Sequence, residues 1–328
     1  MIPRRLIPRL VPLLLLVPAG ASATYLQHDG VRGFIEEVSQ REGFNAAELR
    51  GLLEGVRRQD RVLERIARPA EALPWKRYRP IFVTEARARA GAEFVREHRE
   101  LLERAQARYG VAPEIVTAIL GVETFYGRHE GGFPVLDTLV TLAFDYPPRS
   151  RFFRSELEQF LLLAREERVD PRTAVGSYAG AMGMPQFISS SYREYAVDFD
   201  GDGQRDLWSS RADVVGSVAA YLSRHGWQAG RPIADRLRPS DDRYRDLLDR
   251  GLKPSLGERD LRTRGLEVDP PLADGERVML VELEGSEGPE LWAGRRNFYA
   301  ITRYNHSPLY ALAVYQLSRD IHARLEDR

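Results

Sequence analysis

The segment Ile119-Leu120-Gly121-Val122-Glu123-Thr124-Phe125-Tyr126-Gly127 places one carboxylate at the end of an otherwise apolar stretch. Upstream, Ile115, Val116, Ile119 and Leu120 recur at helical spacing, and Pro113 suits a first helical position. The fold must therefore supply a core for this helix and a place for its acid. Gly121 predicts an end to the helix, which sets Glu123 at or just past the C-terminus. Unpaired carbonyls and apolar neighbours there both raise a carboxyl pKa. A carboxyl group kept protonated near neutral pH is what a general acid for glycosidic cleavage requires. A buried glutamate paired with an arginine fits the same segment, and the segment alone leaves both readings open.

The first residues point to export. Arg4, Arg5 and Arg9 form a basic start, Leu10 to Val17 is an apolar run, and Ala21-Ser22-Ala23 has the form of a cleavage site. The run is broken by Pro12 and Pro18 and is too short to span a bilayer. The chain contains no cysteine, so it offers neither a disulfide framework nor a lipid-attachment cysteine. The expected mature product is exported, periplasmic and soluble, without a membrane anchor. Losing those three arginines from a balance of 48 basic and 48 acidic residues leaves a net charge of −3. No basic excess remains to meet phosphates, which argues against a nucleic-acid partner.

Residues 30–107 read as helical. Asn45-Ala46-Ala47-Glu48 is a capping box that opens a short helix, and Thr84 opens a longer charged one. Leu73 to Pro80, rich in proline and aromatics, is expected to break these two helical blocks. Residues 111–226 alternate helices with glycine-rich turns. Beyond 231 the helical period fades, and Val278 to Glu284 reads as a strand followed by a Gly-Pro turn. Leu309 to Leu325 returns to a helix.

Asp198-Phe199-Asp200-Gly201-Asp202-Gly203-Gln204-Arg205-Asp206 carries the sharpest metal signal. Oxygen side chains stand at loop positions 1, 3, 5 and 9 of an EF-hand-like loop, with Gly203 where such a loop turns sharply. Gln204 would offer its backbone carbonyl. Ser209 replaces the usual bidentate glutamate, and Asp213, a turn further on, is expected to close the shell. Calcium in a structural role is the expectation, against the alternative of an acidic surface turn.

Gly176 to Phe187 (GSYAGAMGMPQF) combines small residues, which admit close approach, with Ser177 and Gln186 as hydrogen-bonding groups. Tight helix packing explains the small residues equally well but explains Gln186 less well, because a buried amide needs partners. The six histidines show no metal-ligand spacing, and no nucleophile elbow or phosphate loop is present.

Taken together and in this order, Gly121-Val122-Glu123-Thr124, Gly176 to Gly183, Gln186-Phe187, Asp198 to Asp206 with Trp208, and Thr302 to Ser307 resemble the B-type lytic murein transglycosylases (glycoside hydrolase family 103). The likeness runs from about residue 30 to 322. It implies a mainly α (α+β) fold: a lysozyme-like helical core, an added helical lobe and a small antiparallel β lobe. The implied layout is a signal peptide over 1–23, a helical lobe over 24–108 and a core over 109–230 holding the metal loop at 198–213. A β lobe over 231–296 and a returning segment over 297–328 complete it. The resemblance further implies one calcium ion. It also implies cleavage between N-acetylmuramic acid and N-acetylglucosamine with a 1,6-anhydromuramic product, and peptidoglycan strands as partner. Cell-wall synthesis enzymes are candidate partners. On this likeness Glu123 matches the single catalytic acid and Ser177 and Gln186 match substrate-binding positions. Tyr78, Arg149, Tyr221, Tyr304 and Asn305 match groove-lining positions. Asp213 stands one residue later than the family spacing. A hydrolytic muramidase and a non-catalytic peptidoglycan-binding protein are the competing readings.

Overall fold

The computed structural model describes residues 25–68, 72–248 and 250–326, so the expected signal peptide over 1–23 lies outside the described residues. The chain divides into two compact units, 1–55 and 56–328. The first holds α1 (Asp29–Glu42) and α2 (Ala46–Glu54). As the capping box predicts, the Asn45 side chain accepts from the Ala47 and Glu48 N–H groups. Val31, Ile35, Val38 and Leu53 form the buried stripe of this pair.

In the second unit α3 (Asp60–Ile66), α4 (Trp75–Phe82), α5 (Glu85–Glu97) and α6 (Arg99–Tyr109) precede the central helix α7 (Pro113–Thr124). Thr84 caps α5 by accepting from the Arg87 N–H. The stretch expected to break the helices is instead α4, with Pro80 inside it. Trp75 and Tyr78, each 1 % exposed, bury one face of this short helix and hold it despite the proline.

Every residue of α7 from Ile115 to Val122 is buried, and α5, α6 and two later helices, α11 (Arg211–Arg224) and α14 (Pro308–Glu326), pack around it. A helix apolar on all sides belongs at the centre of a bundle. The other core helices are α8 (Val135–Asp145), α9 (Ser150–Glu166), α10 (Ser189–Tyr195) and α11 (Arg211–Arg224). The expected boundary at 108 falls between α6 and α7, which pack against each other. Two short strands, β1 (Phe133–Pro134) and β2 (Val175–Gly176), pair antiparallel beside α8.

β3 (Ala234–Leu237), β4 (Met279–Gly285) and β5 (Gly288–Gly294) form an antiparallel sheet in the order β3-β5-β4. β4 and β5 are a hairpin, with Leu280 opposite Ala293 and Gly285 opposite Gly288. With α12 (Glu258–Arg262) the sheet encloses its own core, in which Leu237, Tyr244, Leu256, Leu261, Val278 and Leu291 meet. The chain then re-enters the helical core through α13 (Arg296–Tyr304) and α14 (Pro308–Glu326). Among the described residues no helix is long and apolar enough to cross a membrane.

Candidate active site

Glu123 occupies the last turn of α7. Gly121 does not end the helix, which runs on to Thr124. Its lack of a side chain serves packing instead: a Cβ there would stand 2.6 Å from the Tyr126 hydroxyl. A Cβ on Gly91 of α5 would stand 2.5 Å from the same hydroxyl, which donates to the Arg87 carbonyl at 2.8 Å. Two consecutive left-handed residues, Phe125 (φ 51°) and Tyr126 (φ 62°), close α7. Such conformations cost roughly 1–3 kcal/mol each and persist where surroundings impose them. Here they turn the chain sharply just after the acid.

Thr124 fixes that turn to the glycine-rich segment. Its hydroxyl donates to the Met184 carbonyl at 2.9 Å and accepts from the Gly127 N–H at 3.0 Å. Met182 and Phe187 exchange backbone hydrogen bonds across the intervening bend. Gly183 (φ 65°) permits the bend, because a Cβ there would meet the Leu207 carbonyl oxygen at 2.2 Å. Gln186 itself lies in the left-handed region (φ 53°). Its amide donates to the carbonyls of Glu130 (3.1 Å) and Gly183 (2.9 Å), which commits the N–H groups and leaves Oε1 as the group to meet a ligand. Strain at a residue with a committed amide marks a site held in place.

The Ser177 hydroxyl accepts from the Ala179 and Ala181 N–H groups at 3.2 and 3.1 Å. It thereby shapes the loop and keeps its own proton to donate.

From the other side α13 and α14 bring aromatic groups to the acid. Tyr310 donates to Glu123 Oε1 at 2.6 Å. Tyr304 stacks nearly parallel to Tyr310 and donates to the Pro185 carbonyl at 2.6 Å, clipping down the loop beside Gln186. Burial pushes both phenols well above their ordinary pKa, and the Glu123 carboxylate pushes them further. Both therefore stay protonated as donors. Tyr310 escaped the sequence reading because it sits among Leu309, Ala311, Leu312 and Ala313, where it reads as one more core residue.

Next to Tyr304 opens a cavity of about 620 Å³, whose wall includes Arg149, Gln186, Phe187, Tyr221 and Tyr304. Phe187, Tyr221 and Tyr304 form an aromatic cluster with ring centres 4.9–5.6 Å apart. The Tyr221 hydroxyl donates to the Arg303 carbonyl at 2.5 Å, and burial raises its pKa. The Arg149 guanidinium lies 4.1 Å from the Phe152 ring centre.

Of the expected groove residues, Arg149, Gln186, Tyr221 and Tyr304 meet in this wall. Tyr78 does not line it: at 1 % exposure it packs between Trp75 and Phe82, because α4 turns its aromatic face inward. Asn305 lies outside that wall and ends α13, its carbonyl accepting from the Ser307 N–H at 2.7 Å.

The acidic loop has the form its spacing predicts. Asp198, Asp200 and Asp202 bring carboxylate oxygens within 4.8 Å of one another, at a group that could hold a metal ion. Asp198 accepts from the Gly201 and Gly203 N–H groups, and the Gly203 contact leads in drawing its pKa down. Gln204 donates its N–H to Asp202 at 2.8 Å. Hard oxygen donors crowded this closely fit calcium. Asp213 is not part of that group. It is fully buried, and its two oxygens accept from the Phe199 and Asp206 N–H groups at 2.7 and 2.8 Å, so it clamps the two flanks of the loop. It lies in the first turn of α11, which draws its short side chain into the protein beneath the loop.

Residues 27–319 match the family described as the transglycosylase SLT domain. The chain belongs to that family. It is a lytic transglycosylase, and the transglycosylase SLT domain accounts for both described units. The Membrane-bound lytic murein transglycosylase B of Escherichia coli is 39 % identical over 307 residues, covering 90 % of this chain and 84 % of that protein. Among solved structures, lytic transglycosylase SltB1 of Pseudomonas aeruginosa is 47 % identical with a TM-score of 0.86, covering 90 % of this chain and 98 % of that one. The Escherichia coli lytic transglycosylase Slt35, solved in complex with calcium, is 39 % identical with a TM-score of 0.84, covering 92 % and 96 %. Pseudomonas aeruginosa SltB3, solved with NAG-anhNAM-pentapeptide, is 33 % identical with a TM-score of 0.78, covering 92 % and 80 %. The expected fold of this transglycosylase, a lysozyme-like helical core with a small antiparallel sheet, is the fold observed.

Replacing Tyr310 by Phe removes a hydrogen bond to a charged group, worth about 1.5–3 kcal/mol. It is expected to lower kcat roughly tenfold or more with little change in KM, which kinetics on soluble glycan fragments would measure. A loss confined to KM would place Tyr310 in binding instead.

Proposed function

We propose that this lytic murein transglycosylase cleaves the β-1,4 bond between N-acetylmuramic acid and N-acetylglucosamine with Glu123 acting first as acid and then as base. The observation that carries this reading is that Glu123 is the carboxylate acting on both buried phenols, Tyr304 and Tyr310. Hydrolysis usually employs two carboxylates flanking the bond. A single acid suffices when the nucleophile is built into the substrate. Protonated Glu123 gives its proton to the glycosidic oxygen as the bond to the anomeric carbon breaks. The substrate acetamido group supports the charge that develops there. Ionised Glu123 then takes the proton from the muramic C6 hydroxyl as that oxygen bonds to the anomeric carbon. An attacking group already tethered in place removes much of the entropic barrier.

Gln186 Oε1 and the Ser177 hydroxyl orient the acetamido and hydroxyl groups of the sugar, and the faces of Tyr221, Tyr304 and Phe187 pack against its rings. Tyr310 holds Glu123 in position and stabilises it when charged. Mass spectrometry of a peptidoglycan digest checks the reading. Anhydro ends, one water lighter than hydrated ends, are expected; hydrated reducing ends would establish a muramidase instead.

Asp198, Asp200 and Asp202, with the Gln204 carbonyl, would hold a calcium ion, which supplies charge neutralisation to the loop and no step of the reaction. A ligand that binds only the folded state at a hundredfold excess over Kd stabilises it by about 2.7 kcal/mol. Calcium is therefore expected to raise the melting temperature of chelator-treated protein by several degrees, and Asp198→Asn with Asp200→Asn to abolish the rise. An equal rise in that double variant would remove calcium from this loop. The exported, periplasmic setting follows from the leader at residues 1–23 and from the wall substrate.

A further inference from the structure

We propose that Arg303, His225 and His306 form a carboxylate-receiving end of the groove that takes an acidic group of the peptidoglycan strand. The inference rests on the reading of this cavity as the glycan groove. All three residues line the cavity that Gln186 and Tyr304 open into. They come from two helix ends: His225 follows α11, while Arg303 and His306 flank the end of α13.

Arg303 is the fixed positive charge of the three, on the same wall as both imidazoles. Burial lowers the pKa of both imidazoles, Arg303 lowers both further, and His306 also acts on His225. Among the described residues no carboxylate pairs with the Arg303 guanidinium, whose backbone carbonyl is already taken by Tyr221. His225 is held flat on the Tyr221 ring, 4.2 Å between centres, with Nδ1 2.8 Å from the Tyr221 carbonyl. A carbonyl only accepts, so Nδ1 carries the proton and Nε2 is the nitrogen left for a ligand. A guanidinium without a carboxylate partner, on one wall with two protonatable imidazoles, suits an incoming anion.

The other charged groups around the cluster favour the same sign. Arg149 lies on the same wall, Arg224 reaches over Tyr195, and Arg296 holds the His225 carbonyl; Glu194 of α10 is the one acid lining the cavity. A peptidoglycan strand supplies the matching groups, since muramic residues carry either a free lactyl carboxylate or a peptide stem with its own carboxylates. Chitin-type strands carry neither. Carboxylates remain ionised down to about pH 4, whereas free histidine protonates near pH 6.5. Burial first, and Arg303 after it, hold the imidazoles below their ordinary pKa, and a bound anion offsets the Arg303 part. The ligand is therefore taken up together with protons, and more tightly as pH falls below the ordinary histidine range.

Calorimetry on full-length Glu123→Gln protein tests this with three probes: chitotetraose, a denuded GlcNAc–MurNAc oligomer and GlcNAc–MurNAc-pentapeptide. Arg303→Gln in that background is expected to weaken at least one carboxylate-bearing probe by about tenfold and leave chitotetraose unchanged. Loss on the denuded oligomer assigns the lactyl carboxylate; loss on the pentapeptide alone assigns the stem. Titrations in two buffers of different ionisation heat should show proton uptake with the affected probe, reduced by His306→Gln. Equal losses on all three probes, or none, would overturn the carboxylate assignment while leaving the groove in place. Failure of chitotetraose to bind Glu123→Gln protein would instead remove the groove reading beneath it.

Discussion

Replacing Glu123 by Gln is expected to reduce strand cleavage by roughly a thousandfold while leaving the protein folded. A positioned general acid or base contributes about 10²–10⁴-fold, and here one group serves both steps, so the effect belongs above the lower end of that range. The amide keeps the shape of the acid and an oxygen for Tyr310 to donate to, so the turn made by Phe125 and Tyr126 has no reason to relax. Turbidity clearing of purified cell walls measures the loss, and chemical denaturation checks the fold. Retention of more than about a tenth of the wild-type rate would mean that another group handles the proton.

Arg295→Ala carries the largest expected stability effect. Arg295 is 1 % exposed; its Nε contacts Asp235 at 2.7 Å and its Nη1 contacts Glu276 at 3.1 Å, while Nη2 donates to the Pro270 carbonyl. Burial raises the Asp235 pKa, and Arg295 only partly offsets it. At Glu276 burial also acts upward, but the Ala273 N–H and Arg295 together outweigh it, so this carboxyl is held low. Truncating the arginine strands two partly buried carboxylates, and breaking such a set costs about 3–5 kcal/mol. The deficit should shrink as pH falls, because protonation relieves acids that burial already pushes upward. Urea unfolding at neutral and acidic pH reads both effects. A deficit below about 1 kcal/mol would show that the triad is solvated and contributes as surface pairs do. Because Arg295 immediately precedes α13, which carries Arg303 and Tyr304, loosening it should also lower activity.

The central helix and its acid were legible because periodicity and an isolated carboxylate are local signals. The capping residues Asn45 and Thr84 and the acidic loop were legible for the same reason. What escaped depends on which surfaces meet. Gly121 reads as a stop until Tyr126 is seen against it, and Pro80 reads as a break until Trp75 and Tyr78 are seen buried. β3 and β5 are too short, or too marked by glycine and proline, to show a period of two before they pair. That Asp213 clamps both flanks of the loop likewise depends on where α11 begins. Tyr310, 187 residues from Glu123, becomes a partner of the acid only through the packing of α14 on α7. The Arg303 and histidine cluster joins residues from positions 225 to 306 in the same way.

The claim that Glu123 works alone, with the muramic C6 hydroxyl as nucleophile, is tested most directly by digesting peptidoglycan in water enriched in heavy oxygen. Anhydro ends carrying none of the label are the expected result. Heavy oxygen at the anomeric carbon of the initial products would contradict it, since water would then be the attacking group.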